Sequence, residues 1–209
     1  MEIDKRDWNI DKLYQDLFNS YQKDKLLIIA GPSGSGKSTC AKFIEANYNC
    51  KIIDLYTTRK KRKNLIEKNI FSLSKKEFIE KLYLNDFFLS RTGIEPFYGY
   101  SKENLEKIRN SNKRPILMFR NHGIEFLSNV IYNMEVIFII GNARKIALRS
   151  HSITPKFSET DIQKVLNNNI KLKNKLDYKG IKNYIINNNY DITFFEDITK
   201  LKLFEEKYD

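Results

Sequence analysis

The stretch Gly31-Pro32-Ser33-Gly34-Ser35-Gly36-Lys37-Ser38 constrains this chain more than any other. Its spacing is G-x-x-x-x-G-K-S. Glycines at these positions let the backbone turn so that successive N–H groups point inward at phosphate oxygens. The preceding run Leu26–Ala30 (LLIIA) has the length and character of a buried strand. The following Thr39–Tyr48 is predicted as helix, and the helix start near Lys37 adds a positive N-terminal end. Strand, glycine loop and helix in that order predict a nucleoside triphosphate site. Gly31, Ser33, Gly34, Ser35, Gly36 and Thr39 would surround the phosphates. The Lys37 ammonium would reach the β- and γ-phosphates, and the Ser38 hydroxyl would ligate Mg²⁺. The expected cofactors are therefore ATP and Mg²⁺.

Beyond the loop, short apolar runs alternate with helical periodicity. Lys51–Tyr56, Pro115–Phe119, Val136–Ile140 and Tyr184–Ile186 read as strands. Ser74-Lys75-Lys76-Glu77 has the S-x-x-E form of a capping box and opens a helix through Leu82. Helices are also expected over Ser101–Arg109, from Asn142 to Ser150, from Ser158 onward, and over Asp197–Lys207. This alternation predicts an α/β fold with a parallel sheet covered on both faces. In residues 1–25, Ile10, Leu13, Leu17, Phe18 and Tyr21 fall near helical spacing. They predict an amphipathic N-terminal helical extension ahead of a main domain over 26–209.

A length of 209 residues suits one domain with inserted parts. The formal charge of +11 favours anionic partners, though a general excess of Lys, Asn and Ile accounts for part of it. Read alone, the basic run Arg59–Lys63 would be a solvated charge run or a nucleic-acid patch. No aromatic residues interleave with it, so nucleic acid is not the expected partner. Cys40 and Cys50 form no C-x-x-C pair, and His122 and His151 are the only histidines, which argues against a disulfide framework or a zinc site. No apolar run of about 18 residues suggests a membrane span. MEIDKRDWNI lacks the apolar stretch of a signal peptide. A cytoplasmic protein, monomer or homodimer, is the default expectation.

The segments Ala30–Thr39 (AGPSGSGKST), Thr57–Arg62 (TTRKKR), Phe71–Phe78 (FSLSKKEF) and Phe97-Tyr98-Gly99 together resemble the guanylate kinase family of P-loop nucleoside monophosphate kinases. The resemblance runs from about Leu26 to Leu203. It implies a P-loop NTPase core, an acceptor-binding insertion over about 57–100 and a lid over about 144–158. It implies ATP-dependent transfer of the γ-phosphoryl group to the phosphate of a small phosphorylated acceptor. Arg59, Arg62 and Tyr98 would grip that acceptor phosphate, which suits the bidentate fork of a guanidinium. Arg144 and Arg149 would close over the transferring phosphate. Lys37, Arg59, Arg144 and Arg149 are thus the expected catalytic residues, and adenine would lie near Asn187 and Asn188.

The chain also departs from that pattern. The family's serine, tyrosine, glutamate, threonine and aspartate around the acceptor base align with Leu55, Ile70, Leu89, Tyr100 and Arg120. A carboxylate accepts hydrogen bonds from guanine, and an arginine cannot. GMP is therefore expected to be a poor acceptor. The acceptor is then another nucleotide or, as in the similar ribose 1,5-bisphosphate phosphokinases, a sugar phosphate. Arg91, Arg120 and His122 would suit added negative charge. The lid arginine of the family's K-R-L aligns with Val165. A non-catalytic interaction module of the same family is a further alternative, against which the intact loop argues. An anionic acceptor phosphate needs no general base. A hydroxyl acceptor would need one, and Asp54, Glu95 and His122 are the candidates.

Overall fold

The computed structural model describes residues 8–20, 25–61, 68–119, 121–153, 158–188 and 193–201, with backbone alone for 121, 122 and 151–153. The described residues form two five-stranded sheets. The first runs in the order β10 (Asn183–Asn187), β9 (Met134–Ile140), β2 (Leu26–Ala30), β8 (Arg114–Phe119), β3 (Cys50–Ile52) and is parallel throughout. Every residue of β2 is buried, as a central strand with helices on both faces requires. Leu26, Ile28 and Ala30 enter one apolar cluster, and Leu27 and Ile29 the other. α2 (Lys37–Asn47) and α8 (Thr193–Thr199) supply the second cluster; α4 (Lys102–Asn110), α5 (Asn121–Leu127) and α7 (Glu159–Tyr178) supply the first. α6 (Ala143–Ile153) packs on α7 through Ala143, Ile146 and Ala147 against Ile162 and Leu166.

The second sheet is mixed. Its order is β1 (Trp8–Ile10), β6 (Phe87–Arg91), β7 (Tyr98–Ser101), β4 (Leu55–Thr57), β5 (Ile70–Ser72). Only β4 and β5 run parallel. α3 (Lys75–Tyr83) lies against one face, where Phe78 meets Phe87 and Phe97. Its Ser74–Glu77 capping box is formed in both directions, as the sequence predicts. The other face merges with the main core through Leu89 and Tyr100.

Two expectations need correction. The run Lys51–Tyr56 is not one strand but β3 and β4, in different sheets. Ile53 N–H still bonds to Ile116 O in the first sheet. Asp54 N–H then donates to Asn104 Oδ1 at 2.9 Å and Asp54 O accepts from Ser101 N–H, so α4 captures the chain at the crossing. Residues 1–25 are not one helix either. Trp8–Ile10 form β1, because the free edge of β6 pairs with them; the helix, α1, is Lys12–Ser20. Asp11 N–H continues the pairing to Phe88 O, and the Asp11 carboxylate is held below its usual range by Lys102. Tyr14 and Phe18 bury against Phe88, and Asn19 bonds Val130 O and Tyr132 N–H. α1 thus links the second sheet to the segment that leads into β9. No helix among the described residues is long and apolar enough to cross a membrane.

Candidate active site

β2 ends at Ala30, on the carboxyl edge of the parallel sheet, where such sheets bind ligands. Gly34 and Gly36 have φ of +81° and +101°, in the left-handed region that side chains avoid. Close approaches also exclude a side chain. A Cβ on Gly34 would lie 2.9 Å from Ile146 O and 3.0 Å from Ser150 N, so α6 leans on the loop. A Cβ on Gly36 would lie 2.3 Å from Asn188 Nδ2. Asn188 is buried, and its Nδ2 donates to Ser35 O at 2.8 Å. Its amide therefore braces the loop. Asn187 is exposed.

Gly36 caps α2 without any side-chain hydrogen bond, and the first turn carries no acidic residue. Cys40 N–H, bonded to Gly36 O at 2.9 Å, closes the first turn. The N–H groups of Lys37, Ser38 and Thr39 precede it and suit an anion. Lys37 Nζ donates to Pro32 O at 2.7 Å, which holds the ammonium across the loop, and Ser38 and Thr39 are exposed beside it. This donor set fits a polyphosphate with its cation. Among the described residues no group of three or more His, Cys, Asp or Glu could hold a metal ion. Ser38 is the residue that would ligate Mg²⁺. Cys40, buried behind the loop, has its thiol pushed up to about 12 by desolvation and supplies no thiolate nucleophile.

The second sheet presents the other candidate residues. Thr57 Oγ1 donates to Phe97 O at 2.7 Å and accepts from Arg59 N–H at 3.1 Å. Thr58 Oγ1 accepts from Phe97 N–H at 2.9 Å. The two threonines therefore tie the backbone of Arg59 to the residue before Tyr98. The Arg91 guanidinium lies 4.9 Å from the centre of the Tyr98 ring. Its Nη2 donates to Ile94 O at 2.9 Å and Pro96 O at 2.7 Å. Arg91 is buried and staples the turn that delivers Tyr98, instead of offering itself to an anion.

Four of the positions that depart from the family pattern come together. Leu89 pairs with Tyr100, Tyr100 with Leu55, and Leu55 with Ile70. Paired residues share a face, so these side chains form one apolar row across the sheet, joined at its end by Ile10. Tyr100 O–H donates to Met118 O at 2.7 Å, and burial pushes its phenol up, so it stays a donor.

Arg144 and Arg149 are both exposed on α6. At about 100° per residue they stand roughly 140° apart, flanking the buried face of Ala143, Ile146, Ala147 and Ser150. Arg149 adjoins the Ser150 backbone that touches Gly34; Arg144 lies on the opposite flank. Arg62 and Arg120 lie outside the described residues, as does the His122 side chain. Neither remaining base candidate is arranged for catalysis. Asp54 Oδ1 accepts from Asn69 Nδ2 at 3.1 Å, and exposed Glu95 pairs with Lys75 at 3.0 Å. Two cavities of about 460 and 470 Å³ lie away from the loop, one between α5 and α7, the other beside β1 and β6.

The sequence model of the family described as guanylate kinase matches residues 23–204. The chain is 31% identical over 151 residues to the guanylate kinase of Mesomycoplasma hyopneumoniae (strain 7448), covering 66% of this chain and 74% of that one. It is 34% identical over 97 residues to the guanylate kinase of Clostridium tetani, covering 46% and 47%. The crystal structure of guanylate kinase from Anaplasma phagocytophilum is similar in fold, with a TM-score of 0.55, 20% identity, and coverage of 84% of this chain and 82% of that chain.

Proposed function

Because the chain belongs to the guanylate kinase family, and is thereby an ATP-dependent phosphotransferase, we propose that it passes the γ-phosphoryl group of ATP to the phosphate of a nucleoside monophosphate other than GMP. One observation carries this reading. The uncapped start of α2, with Lys37, stands at the edge of the parallel sheet, and Tyr98 and Arg59 are presented by a second sheet inserted between β3 and β8.

The loop N–H groups from Gly31 to Thr39 hold the donor phosphates, and the Lys37 ammonium neutralises the β–γ bridge as charge builds there. Ser38 would hold Mg²⁺, which would supply positive charge to offset that of the phosphates. Arg59, Arg62 and Tyr98 hold the acceptor phosphate in line. Its attacking oxygen is already anionic, so no proton has to be removed. That agrees with Asp54 and Glu95 being engaged elsewhere. Arg149 closes over the transferring group as the lid comes down, and Arg144 stands further out. The apolar row Leu89, Tyr100, Leu55 and Ile70 has no carboxylate with which to read guanine.

Release of ADP, followed by a coupled assay across nucleoside monophosphates and sugar phosphates, tests the reading. At least one nucleoside monophosphate should turn over, with GMP roughly tenfold to a hundredfold less efficient, the cost of one or two lost hydrogen bonds to the base. GMP as the best acceptor would remove the argument from the apolar row. No release above that of Lys37→Ala with any acceptor would remove the enzyme.

A further inference from the structure

β1 brings in a residue that the glycine loop and the phosphate clamp leave unexplained. Its register sets Trp8 opposite Arg91, which is opposite Tyr98, which is opposite Thr57. Trp8 therefore belongs to the row that carries Tyr98, on the face that meets the core sheet. The indole is partly buried, and its ring centre lies 4.6 Å from that of Phe119, the last residue of β8. Phe119 stacks in turn with Tyr100, 5.8 Å away. Phe119 is also the register partner of Ala30, from which the phosphate loop departs. An indole from ahead of the main domain thus stands between the clamp sheet and the root of the loop.

Trp8 is more than packing in two respects. Its Nε1–H is buried and has no acceptor among the described residues, an unfavourable state that phenylalanine would avoid. It also stands beside the row that has lost its hydrogen-bonding groups. An aromatic face is the surface that recognises a base without them, because every base has a π-face. The segment is firmly held there, by β1 pairing, by Asp11 N–H on Phe88 O and by the Asp11–Lys102 ion pair.

We infer that Trp8 is an acceptor-specificity residue: β1 completes the acceptor pocket, and the indole receives the base of the nucleoside monophosphate. This rests on the reaction proposed above. Trp8 is the one tryptophan in the chain, so its emission reports the pocket without a label. In the full chain, the monophosphate turned over best should change that emission saturably, while inorganic phosphate should not. Trp8→Ala should raise the KM for that acceptor about tenfold or more, as loss of a base–aromatic stack does, with the KM for ATP within twofold. Trp8→Phe should recover most of the loss. An unfolded variant is recognised by loss of ATP binding as well. Turnover with unchanged emission at saturating acceptor, and a Trp8→Ala acceptor KM within twofold of wild type, would overturn the inference and leave the proposed reaction standing. Absence of turnover with every monophosphate sinks the reaction and this inference with it.

Discussion

The phosphate loop and the second sheet are made of different material. The loop is made of backbone: its donors are N–H groups, and its side chains are largely glycine and serine. The second sheet is made of side chains: Tyr98 and the row Leu89, Tyr100, Leu55 and Ile70 project from strands of three to five residues, and Arg59 follows β4 in the chain. A backbone site tolerates almost no substitution at its glycines, since Gly34 and Gly36 lie against α6 and Asn188. A side-chain site changes its chemistry one residue at a time while the strands persist. In the proposed reaction the donor half is therefore conventional, and the acceptor half is the one that would have moved away from guanine.

Removing the strongest element of the donor half should have the largest effect. Lys37→Ala is expected to lower kcat by about 10²–10³, the usual loss when a preorganised donor to transition-state charge is deleted. Its melting temperature should stay within a few degrees of wild type, since the Nζ bond to Pro32 O lies within the loop and ties no two elements together. An effect below tenfold would break the contrast, because the loop would then not be where the charge is stabilised. On the acceptor half, Tyr98→Phe should raise the acceptor KM about tenfold, the worth of one hydrogen bond to a charged group. The KM for ATP should hold. Equal rises in both would mean that the two halves are not separate sites. The smallest effect is expected at Glu95→Gln, which removes only an exposed ion pair with Lys75. Both kcat and stability should stay within measurement error. A kcat loss of a hundredfold would restore Glu95 as a general base, and with it a hydroxyl acceptor.

The same contrast explains what could be read from the sequence. LLIIA was legible as a strand because full burial leaves no polar position to blur it, and the loop was legible because its glycines are fixed by close approach. The capping box at Ser74 and the helix start at Ser158 were legible because the bonds are local. β1 was not, because three residues become a strand only through an edge some eighty residues away in the chain. Tyr21 and Ile10 fell near helical spacing, and nothing nearby in sequence contradicted it. The run from Lys51 to Tyr56 hid a change of sheet that is decided by Asn104 and Ser101. Of the proposed site, Lys37, Ser38, Arg59 and Tyr98 come from motifs. The brace by Asn188 does not, because Asn187 and Asn189 flank it and only the backbone distinguishes them. Arg91 was misread for a related reason: a cationic residue looks available in sequence until its hydrogen bonds to Ile94 and Pro96 are seen.

The Asn188 brace has a consequence for the order in which the protein becomes competent during synthesis. The ribosome makes the loop early, at Gly31–Ser38, but the amide that fixes Ser35 O arrives 153 residues later, at the end of the last strand. A nascent chain stopped before β10 carries the whole glycine motif with its Gly36 side unsupported. Nucleotide affinity in this protein should thus report that translation has passed β10, and chains stopped before it should not sequester ATP.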